Sequence, residues 1–180
     1  PVPPESRSDA TPPTASDRAA PRDLHVWVWD GEVAHESDAG RRFFALLDEV
    51  PIAGVFLSLR PAERAEFLVS RPDVIRRFIE RCHARGVRVE YLLAENTWVE
   101  PEHRPGWRRA RDEFVRFQAG GAPAQRFDAL HLDVEPHALP DWADPARRAA
   151  LAAGLLDLLA EARLPDLPLM ADVPYWYEAV

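Results

Sequence analysis

The chain contains no lysine: all 22 of its basic residues are arginine. That excludes a lysine Schiff base and a P-loop lysine from any mechanism. Cysteine is nearly absent too. With Cys82 alone, neither a disulfide within the chain nor a cysteine zinc cluster is possible. Cys82 lies in the stretch 78–86, whose pattern places it on a helix face as a buried, inert thiol. No run of 18 apolar residues occurs, which excludes a membrane-spanning helix. No Gly-rich phosphate loop follows the first strand pattern, where Trp29, Asp30, Gly31 and Glu32 stand instead, and this weakens a nucleotide-binding reading. The formal net charge is -8 with no basic stripe, so general nucleic-acid binding is not expected.

What is present fits one soluble globular domain, 47% hydrophobic and 29% charged over 180 residues. The arginine bias, with abundant alanine and proline, reads as GC-rich coding in a bacterium and carries no functional meaning. Residue 1 is Pro rather than Met, so the natural start is expected to be missing or removed. Residues 1–22 hold six prolines among Ser, Thr, Ala and Asp, with no apolar period. Such a segment buries too little to offset its ordering entropy and reads as a disordered linker. It suits a chain that follows an export signal or lipid anchor, which implies an extracellular or cell-envelope location. A linker from another domain, and with it a cytoplasmic location, stays open.

From residue 24 strand and helix patterns alternate. Strands are expected at 24–29, 54–59, 87–94, 127–136 and 167–173. Helices are expected at 38–49 (apolar side Phe43, Phe44, Leu46, Leu47), 72–85, 106–119 and 145–162, with a short helical turn at 61–68. Ser70 and Asp144 are candidate caps, Pro72 suits a first helical turn, and Gly86 suits a helix end. A strand start every 30–40 residues, separated by helices, predicts an α/β fold with a parallel sheet. Two architectures fit 23–180: the first five strands of a (β/α)8 barrel, or an open doubly wound five-stranded sheet. The barrel is the favoured expectation. It requires about three more βα units beyond Val180, and an open fragment would carry unpaired edges prone to self-association. Oligomeric state is left open.

The segment Phe127–Pro136 carries the chemistry. Leu130, Leu132 and Val134 alternate with His131, Asp133 and Glu135, the period of a strand. Successive polar side chains then lie about 6.5–7 Å apart along one face. Pro136, without an N–H, fits the point where the ladder stops. Acids at the C-terminal end of a strand are where α/β barrels keep their chemistry.

Phe127, Asp128, Leu130, Leu132, Asp133 and Glu135 resemble the strand-four signature of family 18 glycoside hydrolases, the chitinase and endo-N-acetylglucosaminidase group. The likeness departs at Ala129, where glycine is usual, and at His131, where the first acid of an Asp-x-Asp-x-Glu run is usual. It implies a barrel glycosidase using the substrate's own acetamido group as nucleophile, with Glu135 as general acid/base and Asp133 orienting that group. It calls for a carbohydrate substrate and for no cofactor or metal. Spacing agrees independently: two enzyme carboxylates that flank a scissile bond come from opposite sides, whereas one strand face supplies an acid and a helper. Close carboxylates also disfavour double ionisation, so one of the pair is expected to titrate high. His131 is a third candidate of the catalytic group.

Polar residues close every expected strand: Asp30, Arg60, Glu95 with Asn96, and Asp172. In a barrel they converge on one rim as candidate substrate contacts. Trp98, Tyr175 and Trp176 are candidate sugar-stacking residues, while core packing is the expectation for Trp27 and Trp29. Two rival readings stand beside the glycosidase. One is a divalent-metal hydrolase or phosphodiesterase with His131, Asp133, Glu135 and Glu95 or Asp172 as ligands. The other is a carbohydrate-binding barrel whose acids no longer catalyse.

Overall fold

The computed structural model describes residues 24–179, so the expected linker lies outside the described residues. Five strands, β1 (Leu24–Val28), β2 (Ile52–Ser58), β3 (Arg88–Leu93), β4 (Ala129–Leu132) and β5 (Leu169–Ala171), form one parallel sheet in the order β1-β2-β3-β4-β5. Between them lie α1 (Asp38–Glu49), α2 (Pro61–Arg64), which runs on as a π-helical turn over Ala65–Ser70, α3 (Pro72–His83), α4 (Arg104–Gly120) and α5 (Pro145–Ala162). The α/β alternation expected from the sequence is therefore what the chain adopts. A doubly wound sheet reverses its strand order at a switch point. This order never reverses, and right-handed crossovers advancing one way put every helix on one face. That is the winding of a barrel wall.

Local chemistry sets most element ends. Ser37 Oγ accepts from the Gly40 amide at 3.1 Å and starts α1, which buries Phe43, Phe44 and Leu47. Leu46, assigned by pattern to that apolar side, is exposed. Asp144 caps α5 by accepting from the amides of Ala146 and Arg147, as its position suggests. Gly86 leaves α3 at φ +71°, a left-handed conformation that only glycine adopts without strain. Ser70 does not cap α3. Its hydroxyl donates to the Ala65 carbonyl and closes the π-helical turn, leaving Arg71 at the cap position without a side-chain bond.

Register divides the sheet cleanly. Val28, Leu57, Tyr91 and Leu130 are successive partners across four strands, with Val26, Val55 and Val89 one step earlier. All but the partly buried Val26, which packs against them, belong to the same core as Ile75, Phe78, Phe114 and Leu158 from the helices. Each such side chain, fully buried, contributes roughly 1.5–3 kcal/mol. Cys82 belongs here as well, and burial pushes its thiol up to about 12. The alternate residues face away from the helices. Leu92 and Ala129 are buried yet stand outside that core, because they point to the other side. Among the described residues no helix is long and apolar enough to cross a membrane.

β4 is shorter than the expected 127–136. Its ladder runs past the strand all the same: the Asp133 amide donates to Leu93 O and the Asp172 amide to Leu132 O, each at 3.0 Å. Pro136 then opens a 3-10 turn, which ends the extended chain where the missing N–H suggested.

Candidate active site

The face without helices begins with an aromatic floor. Gly54 lies under the His25 ring, where any β-carbon would collide with the imidazole. That ring stacks on Phe56 at 5.2 Å, and Phe56 meets His131 edge-on at 4.5 Å. His131 is almost fully buried. Its Nδ1 lies 2.9 Å from Glu90 Oε2, and Glu90 is equally buried. Removing two ionisable groups from water together is tolerable only when they pair, and here they do. Arg88 adds a more distant contact, 3.7 Å from Glu90 Oε1. On the opposite side of the ring, Nε2 lies 3.2 Å from Asp172 Oδ2 but makes no hydrogen bond.

One step further along the same face is Asp133, half-buried. Burial, then the neighbouring charges of Asp172 and Glu135, holds its carboxyl above the usual carboxylate range, with His131 pulling the other way. The expectation that one acid of the pair titrates high thus falls on Asp133. Glu135 is half-buried at the start of the turn, and its amide donates to Asn96 Oδ1 at 2.7 Å. Asn96 sits in a 3-10 turn after β3 whose cap is Glu95: that carboxylate accepts from the amide and hydroxyl of Thr97. Glu135 also lies within electrostatic reach of Tyr177, whose hydroxyl is raised first by burial and then by that charge. Tyr177 OH is 3.0 Å from His137 Nδ1. His137, Trp142, Trp176 and Tyr177 form one aromatic group, with Trp142 stacked on Tyr177 at 5.7 Å and Trp176 edge-on to His137 at 4.9 Å.

The residues singled out from sequence therefore fall into three sets. His131, Asp133, Glu135, Asp172 and Asn96 come together at the C-terminal ends of β3, β4 and β5, with Trp176 in the aromatic group beside them. Arg60, Glu95 and Trp98 line a separate cleft of about 360 Å³ at the ends of β2 and β3, together with Trp29. In that cleft Arg60 pairs with Glu63 at 2.7 Å, and Trp98 is mostly buried against Trp107. Asp30 and Tyr175 form the third set, lining neither, although Asp30 lies within electrostatic reach of Arg60. Asp30 caps its own turn by accepting from the Glu32 amide, and Tyr175 is 91% exposed. Core packing does not describe Trp27 and Trp29, which are half exposed because among the described residues no helix covers their side of β1.

Glu90, His137 and Tyr177 complete the arrangement without having been chosen as site residues. Glu90 had a readable signal: it is an acid inside an otherwise apolar strand, the same mark that distinguishes Asp172. His137 had none, since its partners lie in a turn 40 residues later. For a metal, the only grouping among the described residues with three His, Cys, Asp or Glu atoms at mutual ligand distance is Glu100, Glu102 and His103, off the sheet. Exposed acids commonly gather in this way without an ion.

No protein-family model and no curated protein matches the chain. The likeness to family 18 glycoside hydrolases is carried by residues 127–135 alone.

Proposed function

We propose that the open face of the sheet binds a glycan and hydrolyses a glycosidic bond, with Glu135 as general acid/base and Asp133 as its helper. The observation that carries this reading is the gathering of Asp133, Glu135 and Asp172 at the C-terminal strand ends, on the face that no helix covers. In parallel α/β proteins that end is where reacting groups collect.

Both acids lie within three residues of the end of β4, so they approach a bound sugar from one side. A pair that flanks the scissile bond, as a nucleophile and an acid do, is excluded by that origin. One acid that donates a proton to the leaving oxygen, beside one that orients an acetamido group, fits it. The Glu135 backbone is anchored by Asn96, which sets where its side chain leaves the chain. Trp176, 38% exposed at the edge of the aromatic group, offers a plane for the C–H face of a sugar ring.

The test uses the full chain with chitooligosaccharides and an aryl N-acetylglucosaminide. Glu135→Gln is expected to lower kcat by about 10²–10⁴ while sugar binding is retained. Unchanged turnover in Glu135→Gln overturns the assignment. Sugar binding without turnover in the parent chain selects the non-catalytic binding reading, for which the replacement of an inner acid by the Glu90-paired His131 is the favouring observation.

A further inference from the structure

We propose that His131 and Asp172 are the protein ligands of a divalent transition-metal ion, zinc by preference, on the floor of the open face. The inference goes beyond the hydrolysis reading and needs neither Glu135 nor turnover. It also departs from the expectation of no metal.

The starting point is His131 Nε2. It is a ring nitrogen in a side chain only 5% exposed, and it has no hydrogen-bond partner. Leaving such a group unmet costs about 1–3 kcal/mol, so a buried imidazole normally turns to find a partner. This ring is held in place at its other end. Nδ1 faces Glu90 Oε2 at 2.9 Å, and Phe56 packs edge-on against the ring. An imidazole whose Nδ1–H is given to a carboxylate presents its Nε2 lone pair outward, which is the tautomer a metal takes.

What Nε2 faces is a carboxylate oxygen, Asp172 Oδ2, at 3.2 Å but off the line a hydrogen bond needs. Two ligands sharing one ion show that relation. With metal–nitrogen and metal–oxygen distances of about 2.0–2.2 Å and angles between about 90° and 110°, ligand atoms stand about 2.9–3.4 Å apart. The gap leaves Nε2 without water-accessible surface, and a bare cation is smaller than water. Asp172 is 40% exposed on its side chain, so the outer side of the ion is open to solvent waters. Asp133, next along the face, adds negative charge within reach of both ligands. An imidazole ligand selects zinc and its neighbours over magnesium and calcium, which favour all-oxygen shells.

The experiment is isothermal titration of the chelator-stripped full chain with zinc chloride, beside manganese and magnesium chlorides. One zinc equivalent per chain is expected, with magnesium far weaker. It should persist in His103→Gln, which dismantles the exposed Glu100–Glu102–His103 group, and disappear in His131→Gln and in Asp172→Asn. Glu90→Gln should weaken it about 10–100-fold. Circular dichroism checks folding. If His131→Gln does not fold, Asp172→Asn, altered at a partly exposed position, decides alone. Absence of zinc binding, zinc binding that survives Asp172→Asn, or loss of zinc only in His103→Gln overturns the proposal.

Discussion

The two faces of the sheet are built from the same strands and follow opposite rules. Toward the helices, Val55, Val89, Leu130 and Leu132 are almost wholly buried and apolar, and the one polar atom among them, the Tyr91 hydroxyl, has no partner. Toward the open side, β3 and β4 carry Glu90 and His131 between those same residues, equally buried and paired through His131 Nδ1, with Nε2 left unmet. The covered face gets its stability from area removed from water. The open face holds its ionisable groups in place by pairing them, at a cost in desolvation. A period of two lets one strand do both without either interfering.

The sharpest way to break this contrast is to cut a large side chain from each face. Phe114→Ala removes a fully buried ring stacked on Tyr91 and should cost about 3–5 kcal/mol. Trp27→Ala, a larger truncation on the open face but half exposed, should stay within about 0.5–1 kcal/mol. Urea unfolding of both variants checks the pair, and equal losses would show the open face to be a second core. Next in size is Tyr91→Phe. Deleting a buried, unpartnered hydroxyl should stabilise the chain by about 1 kcal/mol, seen as a raised Tm. A fall in Tm would mean that the hydroxyl is paired after all. The smallest effect is a null one on the covered face. Cys82, with its thiol pushed up to about 12, should resist a disulfide reagent at pH 8 until the chain unfolds. The folded thiol stays protonated where the unfolded one, near about 8.5, ionises. Its contribution to stability is therefore full below that value and is lost as pH rises toward 12.

Local pattern made much of the fold legible. The bounds of α1, the cap at Asp144 and the glycine closing α3 all follow from residues within one or two turns of each other. So does the common face of His131, Asp133 and Glu135, because alternation in a strand is a local property. Strand order was not legible, since a barrel wall and a doubly wound sheet share the same βα alternation and differ only in which edge each new strand joins. The pairing of Glu90 with His131 was hidden for a similar reason: 41 residues separate them. Trp98 shows the opposite failure. Its place after a strand suggested a surface role, and the packing of α4 against its turn buried it beside Trp107. Ser70 was misread because a π-helical turn offered its hydroxyl a nearer carbonyl than the start of α3.

The bond from the Glu135 amide to Asn96 makes the position of one acid depend on a turn 39 residues earlier in the chain. That turn lies outside every strand but carries Trp98 and Val99 into the core, so its shape is tied to the packing of α4 and α5. A change at Asn96 would therefore reach Glu135 through the backbone, and a change in the buried part of the turn would reach it through the core.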